Sequence, residues 1–86
     1  MNCRILGVSK VFKSKNGKYF LNVAVSYSND DYTGEDVMSL FVPDNLKCFE
    51  RLSANPQSCK GQLVNAEFMP SFDGRAVLQD IIFKVS

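Results

Sequence analysis

Residues 18–27, KYFLNVAVSY, alternate more and less apolar side chains with a period of two, and Asn16-Gly17 stands directly before them. This combination constrains the chain more than any other feature. Tyr19, Leu21, Val23, Val25 and Tyr27 share one face of a strand; Phe20, Asn22, Ala24 and Ser26 share the other. The first face is read as core. Asn-Gly suits a two-residue type I′ turn, so the residues before it must return as a hairpin partner. Phe20 is left on the less apolar side, where so large a ring needs a reason.

The other segments follow the same logic. Residues 3–12 read as a loosely patterned strand carrying Ile5, Leu6, Val8, Val11 and Phe12, with Gly7 as a bend or bulge. A polar loop over 28–34 leads to a strand over 35–42, where Met38, Leu40 and Val42 share a face until Pro43 ends it. Asp44 to Ser53 is the one helical stretch, with Asp44 as N-cap, Leu46, Phe49 and Leu52 as its stripe, and Asn55-Pro56 closing it. Lys60 to Met69 forms a strand with Gln62, Val64, Ala66 and Phe68 on one side. A turn over 70–74 follows. Arg75 to Val85 is the last strand, with Val77, Ile81, Phe83 and Val85 together and Gln79 interrupting them. Three strands, a short helix and two strands predict an all-β, five-stranded OB-type barrel, with the helix between strands 3 and 4 plugging one end. An SH3-like barrel is the nearest competitor. Closure would remove exposed sheet edges.

Eighty-six residues suffice for one small domain, spanning 1–86, and the 45% apolar share argues against disorder. The wholly apolar stretches are too short for a membrane span or a secretory segment, so a cytoplasmic location is expected (host cytoplasm, if phage-encoded). Cys3, Cys48 and Cys59 are odd in number and widely spaced, which argues against a disulfide framework, and Cys48 reads as a small apolar packer. With no histidine and no CxxC pair, neither a zinc site nor a general base near neutral pH is expected. Asp30, Asp31, Glu35 and Asp36 match no calcium-loop pattern and read as a solvated hairpin tip. No enzyme activity, metal or cofactor is expected.

Net charge is +1, yet its distribution is uneven. Residues 1–27 hold Arg4, Lys10, Lys13, Lys15 and Lys18 and no acid, while residues 28–50 hold six acids against Lys47. A polyanion meets the local field, so a basic face is compatible with this small total. The plainer alternative is that the two blocks pair across neighbouring strands. Single-strand binding needs a positive rim for phosphates and flat rings for bases. Lys13, Lys15, Lys18 and Arg75 are the phosphate candidates. Phe20 is the stacking candidate, together with Phe72 in the last turn and Tyr32 in the polar loop. Phe41 shares the outward pattern but is weighed as core.

Two segments carry a resemblance. NGKYFLNV resembles the glycine-lysine-aromatic hairpin of the gene V-type single-stranded-DNA-binding proteins of filamentous phage, and EFMPSFDGRAVLQDIIFKV resembles that family's final long hairpin. The resemblance implies an OB-fold dimer that coats single-stranded DNA cooperatively during phage or plasmid replication. Lys18 and Phe20 would match its DNA-binding hairpin. Phe72 falls one residue from the family's stacking aromatic, because Asp73 precedes Gly74, and Asp80 and Ile82 stand where the family carries basic residues. The expected partner is therefore single-stranded DNA, with RNA open to the same chemistry, and the expected assembly is a homodimer outside any membrane. The rival expectation is a protein-interaction module, or a small structural subunit of a larger assembly.

Overall fold

The computed structural model describes residues 1–28, 31, 33–70, 74 and 76–84. Strand β3 (Tyr19–Ser28) pairs with three other strands, and its alternation holds in the middle: Leu21, Val23 and Val25 are fully buried, while Phe20, Asn22 and Ala24 face the other way. At the ends it does not, since Tyr19, expected in the core, is 46% exposed and Ser26, expected outside, is buried. Its hairpin partner, β2 (Phe12–Lys13), pairs Phe12 with Phe20 and Lys13 with Tyr19. The turn between them is not type I′. Such a turn needs positive φ at two central residues, whereas only Gly17 (φ +79°) has it, and no non-glycine residue does among those described. Instead the Gly17 N–H donates to the Ser14 carbonyl (3.0 Å) and the Ser14 N–H to the Lys18 carbonyl (2.7 Å). This is a tight turn closed by a left-handed glycine, the three-residue hairpin loop.

The first strand is split. β1 (Asn2–Val8) runs along the same edge of β3 as β2, further along it, from Val8↔Val23 to Arg4↔Ser26. Between the two, Ser9 stays tied to Asn22: its N–H donates to the Asn22 carbonyl and its Oγ accepts the Asn22 N–H, both at 2.8 Å. The bulge expected near Gly7 is present, since Ile5 pairs with Val25 and Gly7 with Ala24, leaving Leu6 extra.

Strand β4 (Glu35–Pro43) pairs along the other edge of β3, from Phe20↔Pro43 to Ser28↔Glu35, and buries the Leu40 and Val42 face, so Phe41, weighed as core, is instead exposed. β5 (Leu63–Pro70) pairs with the free edge of β1, and β6 (Ala76–Phe83) pairs with β5. All of these pairings are antiparallel. The last hairpin corrects one expectation. Glu67 pairs with Asp80 but Phe68 with Leu78, so Gln79 is bulged out and the alternation flips there. Leu78, at 8% exposure, is therefore core, and Val77, at 46%, is not.

The five-stranded OB-type barrel is not what forms. The sheet has six strands in the order β2-β3-β1-β5-β6, with β4 on β3, and among the described residues no ladder joins the end strands β4 and β6. A ladder needs backbones about 4.8 Å apart. Here an apolar groove of about 380 Å³ separates the two edges, and the Gln79 bulge breaks the register of β6 beside it. The sheet is open.

The helical connection is also different. α1 (Lys47–Ala54) begins after Leu46 with no side-chain cap, and α2 (Pro56–Cys59) follows it at once. Asp44 does not cap. Its N–H donates to the Tyr19 carbonyl (3.0 Å) and its carboxylate accepts the Tyr19 N–H (3.2 Å), which extends the strand pairing past Pro43. Asn55-Pro56 does end α1, and proline then serves as the first residue of α2. α1 packs against β3, β4 and β6, and α2 against β1, so Cys48, Leu52 and Cys59 complete one core with the inward strand residues. Among the described residues no helix is long and apolar enough to cross a membrane.

Candidate nucleic-acid interface

Register dictates what stands on the outer face of the sheet near the first hairpin. Phe12 and Phe20 are direct cross-strand partners and stack, with ring centroids 5.5 Å apart and planes at 26°. Phe41 is the partner of Asn22, two residues along from Phe20, within diagonal reach of an aromatic side chain. Its ring lies 5.2 Å from that of Phe20, tilted by 32°. Three rings from three strands thus form one row. Phe20 is half-buried in the middle, Phe12 is 36% exposed and Phe41 57%. So much ring area on a solvent face calls for a ligand or a partner.

Lysines stand at this end of the sheet on both faces. Lys10 Nζ sits 5.4 Å from the centre of the Phe12 ring, on the row itself. Lys13 and Tyr19, one residue along each strand, share the opposite face of the hairpin, with Lys13 Nζ 6.0 Å from the centre of the Tyr19 ring. Both distances are within cation–π range. Lys15 and Lys18 are exposed in and beside the turn. The acids of β4 lie far from them. Glu35 and Asp36 pair with Ser28 and Tyr27, at the opposite end of β3 from Tyr19. Eight residues of strand span about 26 Å, more than three Debye lengths at physiological salt. Glu35 and Asp36 therefore do not neutralise the hairpin lysines. Asp44 of the same acidic block, by contrast, lies at the hairpin end, its carboxylate accepting the Tyr19 N–H (3.2 Å), and Arg4 of the basic block pairs with Ser26 near the other end of β3. Asp36 is moreover occupied, accepting from the Tyr27 hydroxyl (3.1 Å) and the Val37 N–H (2.8 Å).

Of the expected site residues, the structure brings Lys13, Lys15, Lys18 and Phe20 to one end of the sheet. Tyr32, Phe72 and Arg75 lie outside the described residues, as do Asp30 of the acidic cluster and Val85 of the last strand. Sequence reasoning missed Phe12 and Lys10, and weighed Phe41 as core. The signal for Phe12 was available: counting back from a three-residue loop ending at Gly17, rather than a two-residue one, sets Phe12 opposite Phe20.

Other chemistry is sparse. The three cysteines are free and buried. Burial is the main cause that pushes the Cys48 thiol up to about 11, and it raises Cys3 as well, so neither is a ready thiolate at neutral pH. Among the described residues, no group of three His, Cys, Asp or Glu side chains is placed to hold a metal ion.

No protein-family model, no curated protein and no solved structure matches this chain. The open sheet removes the OB-fold that the phage-family resemblance implies, and no match stands behind that family or its coating dimer. The chemistry of the outer face has to come from its own residues.

Proposed function

We propose that the protein binds single-stranded nucleic acid, DNA in the first instance, with little sequence preference. The observation that carries this reading is the coincidence of a three-phenylalanine row with Lys10, Lys13, Lys15 and Lys18 at one end of the sheet. The lysines take the phosphates, and the counterions they displace supply much of the affinity. The rings take base faces, which all bases share, so stacking does not discriminate sequence. Duplex DNA hides its base faces and meets only the lysines. The role is binding and requires no catalytic group.

The test is a titration of labelled oligothymidine and of a matched duplex at two salt concentrations. Four phosphates held on a single strand give a log–log salt slope of about −3. The reading expects that slope together with clear preference for the single strand. Salt-insensitive binding, equal affinity for duplex, or no binding by folded protein contradicts it.

A second reading has its own observation. Val37 on β4 and Val77 and Ile82 on β6 are exposed on strands that, among the described residues, each pair on one side only, so the end strands could dock a protein segment. In that case Phe41→Ala would weaken capture of the protein partner and leave oligothymidine unbound throughout.

A further inference from the structure

We infer that one base of the bound strand leaves the surface and enters the groove between β4 and β6, where it continues the aromatic row on the free side of Phe41. The inference rests on the single-strand reading above and deepens it.

The row has two ends, and they differ. At one end the Lys10 ammonium lies over the Phe12 ring. In the middle, Phe20 is in contact with a ring on each side. At the other end Phe41 keeps more than half of its surface free, and the same residue lines the groove with Met38, Phe68 and Val77. A flat ligand therefore has one vacant stacking position in the row, and it lies at the mouth of a cavity.

The cavity suits a base. Its volume, about 380 Å³, falls at the small end of the range for small-molecule pockets. Among the described residues no charged side chain lines it, and Ser39 is the one polar side chain that does. A base bound there is held by stacking and burial, without edge recognition, which agrees with sequence-tolerant binding. Position supplies the choice of occupant. Pro43, one wall of the groove, is the direct cross-strand partner of Phe20, so the groove is continuous with the row, and Lys18 is two residues before Phe20. A strand whose phosphates sit on the lysine hairpin delivers a base to this opening; an uncharged apolar peptide would have no use for those lysines.

The experiment uses eight-unit phosphodiester strands of abasic spacer carrying zero, one, two or three adjacent thymines at the centre, titrated at low salt. The expected result is a rise in affinity of about tenfold from zero to one thymine, the order of one stacked base, and less than about twofold for each thymine after that. Val77→Gln, which narrows the groove without adding charge, should bring the one-thymine strand down towards the abasic one; Phe41→Leu should do the same. Thermal melts of both variants establish that they fold. Equal increments for each added thymine, or a first increment that survives both substitutions, overturns the inference while oligothymidine binding by the parent keeps the single-strand reading intact. If the parent binds no oligothymidine, both fall.

Discussion

The Phe20 ring stacks on the Phe12 ring because a three-residue loop ending at Gly17 makes the two residues direct partners; the contact lies outside the core. Its removal should therefore cost binding more than folding. Phe20→Ala takes away the ring that sets Phe12 and Phe41 in one row, and so the support of the Phe41 stacking face. It is expected to weaken oligothymidine binding by up to roughly 5- to 150-fold, the equivalent of about 1–3 kcal/mol for a lost stacked base. An aromatic pair contributes about 0.5–1.5 kcal/mol beyond its area, so stability should fall by only about 1 kcal/mol. Parallel anisotropy titrations and urea melts separate the two effects.

The lysines should act as a set of similar charges. Replacing Lys13, Lys15 or Lys18 singly with alanine should weaken binding to every sequence alike and reduce the salt slope by about 0.7 for each phosphate no longer held. Titrations over a salt series measure this directly. A substitution that changed sequence preference and left the slope unaltered would show that the residue does not hold phosphate.

The two glycines of the first hairpin region predict opposite outcomes. Gly17 lies at φ +79°, a backbone conformation that strains any L side chain, so Gly17→Ala should destabilise by about 1 kcal/mol even though nothing lies within 4 Å of the new methyl. Gly7 has the same open space and no such φ. Gly7→Ala should be neutral or stabilising by about 0.5 kcal/mol through the unfolded chain. Denaturant midpoints of the two variants give the comparison.

The Gln79 bulge makes a sharper test of register. Leu78→Ala removes a core side chain and should cost about 2–4 kcal/mol, whereas Val77→Ala, one residue away, should cost less than about 0.5 kcal/mol. Without the bulge the order would be reversed.

Cys48 gives a pH prediction. Its thiol is raised from 9.0 to about 11 in the folded protein, chiefly by burial, so the folded state holds this proton more tightly than the unfolded chain. The corresponding stability is fully present below pH 9 and is lost as the pH rises from about 9 through 11. Urea melts from neutral pH up to about 11 should show the decline, and Cys48→Ala should make it shallower. Thiol reagents should modify the folded protein slowly at neutral pH.

Much of the architecture was legible in the residues because it follows from alternation. The inward set Leu21, Val23 and Val25 was readable from the period of two, and so were the groupings Leu40 with Val42 and Val64 with Ala66. Alternation alone did not say which face of those last two strands is buried, nor that Tyr19 is exposed and Ser26 buried. The rest depended in part on single-residue insertions. Gly7 marked the first bulge, at Leu6, but nothing in the residues around Gln79 announces that the last ladder skips it. Asp44 was misread as a cap because its side chain suits either task, and the choice was made by Tyr19, far away in sequence. Closure of the sheet was the largest error. Strand order alone cannot say whether the end strands approach to ladder distance or leave a groove, and here that groove borders the candidate site. The row itself needed three strands in register before it existed at all.

The central claim is that single strands bind at the hairpin end of the sheet, and backbone amide shift mapping by NMR during titration with oligothymidine tests it most directly. The account predicts that signals of Phe12, Lys13, Lys18, Tyr19, Phe20 and Phe41 move, while those of Tyr27, Glu35 and Asp36, at the far end of β3, stay in place. Shifts confined to that far end, or a spectrum of folded protein that oligothymidine leaves unchanged, would contradict it.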